Sequence, residues 1–133
     1  MHRLMRILAA MALIATCGAS RAADLYVICH SGISLTSADV RDVFLGEKQF
    51  AGEVKLLPAD NSALQAAFLD KIMKIDAGKY STSWTKKSFR EGINPPPAKG
   101  SDAEALAYVK QTNGACSYVG TQPGGDVVVV GKF

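Results

Sequence analysis

The stretch Ser34-Leu35-Thr36-Ser37-Ala38-Asp39-Val40-Arg41-Asp42-Val43-Phe44-Leu45-Gly46-Glu47 opens as a capped helix and stops on a glycine. Thr36 is spaced to accept a hydrogen bond from the Asp39 amide, and Asp39 to return one, as in a capping box. Val40, Val43 and Phe44 fall at i, i+3 and i+4 and make one apolar face. Gly46 stands where a left-handed residue closes a helix. A helix this short needs a surface to rest on, and its neighbours in sequence supply one.

Upstream, Leu25-Tyr26-Val27-Ile28-Cys29 is a near-continuous apolar run, as in a strand covered on both faces in a parallel sheet. Downstream, Val54 to Leu57 reads as a second strand stopped by Pro58. Asp60-Asn61-Ser62 leads into a second helix, with Ser62 and Gln65 as its capping box and Leu64, Phe68, Ile72 and Ile75 as its buried face. A third helix is expected over about Ala77 to Phe89, carrying Tyr80 and Trp84. Pro95-Pro96-Pro97 forbids helix in the loop that follows. Ser101 with Glu104 caps a fourth helix through Val109, and Gly114 closes it. Ala115 to Val119 and Val127 to Val130 read as the last strands. The alternation predicts an α/β fold of three layers, αβα: a small open sheet, mostly parallel, with helices on both faces. The last connection is too short for a crossover helix, so the final strand is expected antiparallel, at an edge.

Residues 1–22 read as a secretory signal peptide. Arg3 and Arg6 precede the apolar run Ile7 to Ile14, and Ser20 and Ala22 occupy the small-residue positions of a cleavage site. The run is far short of the roughly 20 residues of a spanning helix, so no membrane insertion is expected after cleavage. Ile14-Ala15-Thr16-Cys17 offers the alternative of a lipoprotein signal, with Thr16 departing from that pattern. Three of the 15 basic residues, Arg3, Arg6 and Arg21, lie in this segment, which leaves 12 basic against 12 acidic residues. The basic balance of the whole chain is thus a property of the leader, and nucleic-acid binding gains no support from it. Residues 23–133 suit one domain, placed in the periplasm. Cys29 and Cys116 remain there, and both a disulfide and two buried thiols are compatible with an oxidising compartment.

Four places resemble the periplasmic phosphate-type substrate-binding proteins of ABC transporters, in the same order along the chain. Leu35-Thr36 through Phe44-Leu45-Gly46 is similar to a helix of that family. Asp60-Asn61-Ser62 before a helix with Phe68 stands where it has an Asp-Gly-Ser-Gly-Thr turn. Trp84 and the proline loop match a region with a Trp and a later Gly-Pro stretch. Gly114-Ala115-Cys116-Ser117-Tyr118-Val119 looks like its Gly-Ala-Ile-Gly-Tyr-Val strand. The resemblance implies a periplasmic-binding-protein-like lobe that recognises phosphate or a similar small oxyanion without chemistry, in connection with a transporter. It departs in three ways: there is material for one lobe only, Pro58-Ala59 stands where an arginine is usual, and Ala63-Leu64 replaces Gly-Thr.

The expected ligand contacts are Asp60, Asn61 and Ser62, at a helix start that offers free amides, with Ser31 and Gly32 in the loop after the first strand. Both groups are expected at the carboxyl ends of parallel strands. The plain structural alternatives are a turn former, a helix cap and a tight turn. The rival function is an envelope interaction module that has lost its solute and docks to a sensor or transporter. No enzyme motif is present, no cofactor is implied, and His30 alone with unpaired cysteine spacing builds no metal site. Lys86, Lys87 and Arg90 after Trp84 read as a solvated helix face or as an anion or protein contact.

Overall fold

A computed structural model describes residues 24–133. The expected signal peptide and Cys17 lie outside the described residues. In chain order the elements are β1 (Tyr26–His30), a 3-10 turn (Ser37–Asp39), α1 (Val40–Phe44), β2 (Phe50–Ala51), β3 (Val54–Lys55), β4 (Leu57–Pro58), β5 (Asp60–Asn61), α2 (Gln65–Phe68) continuing into a π turn (Leu69–Met73), α3 (Ala77–Glu91), β6 (Ala98–Lys99), α4 (Asp102–Gln111), β7 (Ala115–Val119) and β8 (Val127–Lys132).

The main sheet runs β4-β7-β1-β8. The α/β class holds, with β8 an antiparallel edge strand as expected. The pairing is mixed in detail. β4 is parallel to β7, and β5 to β6, but β1 is antiparallel to β7 as well as to β8. The apolar run of β1 reports burial on both faces, which helices on both sides produce whatever the strand direction. The long segment between β1 and β7 can return in either sense.

Alternation along β1 divides the core. Leu25, Val27 and Cys29 face α1, α2 and α3, with Phe44, Phe68, Tyr118 and Trp84. Tyr26 and Ile28 face α4, with Ala105 and Val109. Phe68 lies flat on Tyr118, centroids 3.9 Å apart, and meets Phe44 edge-on at 4.8 Å. Each such buried ring contributes roughly 2–3 kcal/mol of burial energy. Cys29 and Cys116 stand directly opposite in the β1–β7 ladder, Cα atoms 4.0 Å apart, and form a disulfide. Of the two alternatives open in the sequence, the bridge is the one present.

The opening stretch folds largely as its sequence dictates. The Asp39 carboxylate accepts from the amide and the hydroxyl of Thr36, at 2.9 and 3.0 Å. Gly46 adopts a φ of 72°, and a side chain there would strike the Trp84 ring. The glycine therefore answers two demands, a left-handed backbone and a covering indole.

Candidate functional site

Asp60, Asn61 and Ser62 follow β4 without a break, because Ala59 continues the ladder by donating to the Cys116 carbonyl. Asp60 is 3% exposed. Its carboxylate accepts from the Tyr80 hydroxyl at 2.8 Å and the Tyr118 hydroxyl at 2.9 Å. Burial raises its pKa above the ordinary carboxylate value, and hydrogen bonds from Tyr80, Tyr118 and Gln65 pull it back down. Burial, then the charge on Asp60, pushes both phenols up, so they stay protonated donors.

Asn61 is fully buried. Its Nδ2 donates to Asp102 Oδ1 at 2.7 Å and to the Tyr118 carbonyl at 3.0 Å, while its Oδ1 accepts from the Ala63 amide at 3.2 Å. The other Asp102 oxygen accepts from the Gly120 amide at 2.9 Å. Ser62 is exposed, yet its hydroxyl donates to the Lys99 carbonyl at 3.0 Å and its amide to the same oxygen at 2.8 Å. It does not cap a helix. α2 starts three residues later, at Gln65, with Leu64 as its cap residue. The amide of Leu64 donates to the Asn61 carbonyl. The amides of Ser62, Ala63 and Leu64, which a free helix start would offer to an anion, are all spent inside the protein.

The structure brings Asp60, Asn61 and Ser62 together and sets Ser31 and Gly32 apart from them. Because β1 is antiparallel to β7, its carboxyl end lies beside Ala115, whereas the Asp60 turn lies beside Tyr118 and Gly120. The two groups are separated by about 10–16 Å along the strands, at roughly 3.3 Å per residue from Ala115 to Tyr118 and to Gly120. The expectation of one shared carboxyl end is corrected by that strand direction. His30 is tied to the α4 end through Nδ1 and the Val109 carbonyl, at 2.9 Å. Sequence reasoning missed Tyr80, Tyr118, Asp102 and Lys99 as partners of the turn. They lie 20 or more residues away along the chain and carry no local signal.

Trp84 is buried in the core and donates its indole N–H to the Phe44 carbonyl at 3.0 Å. Lys87 makes ion pairs with Glu47 and Glu91. Among the described residues no group of three His, Cys, Asp or Glu could hold a metal ion, and no helix is long and apolar enough to cross a membrane.

No protein-family profile and no curated protein sequence matches the chain. Among solved structures it is similar to a Clostridium perfringens protein assigned as a phosphate ABC transporter substrate-binding protein, with phosphate bound. The TM-score is 0.61 at 15% identity, over 82% of this chain and 45% of that one. The chain spans less than half the length of that protein. At this identity the likeness concerns the fold alone, which resembles one lobe of a periplasmic binding protein.

Proposed function

We propose that this chain is a periplasmic-binding-protein lobe that acts by docking to another protein of the cell envelope, a transporter or a sensor, and performs no chemistry. The observation that supports this reading is the state of the Asp60-Asn61-Ser62 turn. Its carboxylate, its amide side chain, its hydroxyl and its first amides are all bound within the protein. An oxyanion arriving there would have to break those bonds. It would also meet one lobe only, whereas small-molecule sites bury most of the ligand's surface.

The second reading is weak recognition of phosphate or a similar oxyanion at Ser62. It is favoured by the phosphate in the structurally similar protein and by the exposure of Ser62. Calorimetry with phosphate and with sulfate separates the two. The docking reading expects no heat at millimolar anion from folded protein. Saturable heat that vanishes in Ser62→Ala, with stability changed by no more than about 1 kcal/mol, would establish the anion reading in its place.

A further inference from the structure

We infer that the docking surface is the groove around Trp84 and the proline loop, and that its occupant is an acidic segment of a partner protein with an apolar side chain among its carboxylates. The inference rests on the docking reading above. Two adjoining depressions share Trp84 and Pro95. One is a groove of about 290 Å³ running past Pro97 and Tyr108, and the other opens beside Phe89. Phe89 is 92% exposed at the end of α3. A single exposed phenylalanine is ordinary. This one lines the same depression as Pro95, and contiguous apolar surface marks interaction sites.

The charge around the groove is one-sided. Lys48, Lys55, Lys86 and Arg90 line it, and no acidic residue does. This is segregation, because residues 23–133 balance 12 basic against 12 acidic side chains. Among the described residues none of the four makes an ion pair; Lys48 has only the longer-range pull of Asp39. Of the acids nearby, Glu47 and Glu91 share Lys87, and Asp76, in the next depression with Lys86 and Arg90, accepts from the Lys79 amide. The Ser88 hydroxyl is buried without a hydrogen-bond partner, and Ser88 lines the same depression as Phe89. An unspent donor in a cationic setting suits an incoming carboxylate or carbonyl oxygen. Arg is among the residues that most often anchor interfaces, and like-signed rims select partners by repelling the wrong ones.

The test is a backbone-amide NMR titration of the chain with the capped peptide acetyl-Glu-Asp-Trp-Glu-Asp-amide, against its Gln/Asn counterpart. Saturable shifts are expected at residues 84–97 and around Lys48 and Lys55, for the acidic peptide only. Lys86→Gln with Arg90→Gln should weaken binding about three- to tenfold, the worth of two exposed charge contacts. Equal binding of the neutral peptide, shifts elsewhere, or no shifts would overturn the inference. Dilution-dependent shifts at the same residues without peptide would replace the occupant by a second copy of the chain, and overturn it too. The docking reading is tested apart from the groove by photo-crosslinkers placed at Phe89 and at Val129 on β8 in producing cells. Adducts from position 129 alone would leave docking standing and refute the groove. Adducts from neither would refute both.

Discussion

Tyr118→Phe removes one hydroxyl and leaves the ring stacked on Phe68, so it isolates what the phenol does for Asp60. With Asp60 ionised, the lost bond is a charge-assisted one inside the protein, worth about 1.5–3 kcal/mol. With Asp60 protonated it is an ordinary bond worth about 0.5–1.5 kcal/mol. The pH dependence follows from the raised pKa of Asp60. A carboxyl with a raised folded-state value contributes stability that is complete below its unfolded pKa and lost as pH rises through the folded one. Removing a donor to the carboxylate raises the folded value further and extends that loss to higher pH. Urea unfolding of wild type and Tyr118→Phe is the assay. The expected destabilisation is about 2 kcal/mol at neutral pH, shrinking by about half toward pH 4. In an Asp60→Asn background the penalty should fall to the neutral-bond value at both pH values. A penalty independent of pH, or below about 0.5 kcal/mol at neutral pH, would refute the view that Asp60 is a structural carboxylate held by tyrosines.

Three further outcomes are expected. Replacing both Cys29 and Cys116 by Ala opens a loop closed over a sequence separation of 87, which should cost about 4–5 kcal/mol by chain entropy; a urea midpoint unchanged from wild type would contradict it. Gly114→Ala places a Cβ against the Lys55 carbonyl oxygen at a φ of 84°, and should cost at least about 2 kcal/mol in thermal or urea unfolding. Phe89→Ser, by contrast, should leave stability within about 0.5 kcal/mol, as exposed positions do, and a larger loss would mean that Phe89 packs in solution.

Much of the fold was legible because its signals are local. The Ser101–Glu104 cap formed as read, with Glu104 donating its amide to the Ser101 hydroxyl at 3.2 Å. The third helix, expected over about Ala77 to Phe89, runs Ala77–Glu91. The candidate site was less legible. Ser62 followed three residues later by Gln65 has the spacing of a capping box, but β6 runs parallel beside β5 and places the Lys99 carbonyl within reach of the hydroxyl. A long-range strand pairing thus took the group that the local pattern assigned to the helix. Grouping Ser31 and Gly32 with the turn requires a parallel neighbour for β1, and hydrophobic patterning does not distinguish strand direction.

The sequence by itself determined where the third and fourth helices lie, which faces are apolar, and the charge balance of residues 23–133, because capping, periodicity and composition are properties of neighbouring residues. Only the tertiary structure decided strand direction, the Cys29–Cys116 bridge, and what Asp60, Asn61 and Ser62 bind. Those outcomes depend on groups 20 to 87 residues apart, brought together by the burial of two apolar faces on one sheet. That same burial turned a motif shaped like an anion site into a set of internal hydrogen bonds. It also left a cationic, apolar groove on the outside of α3.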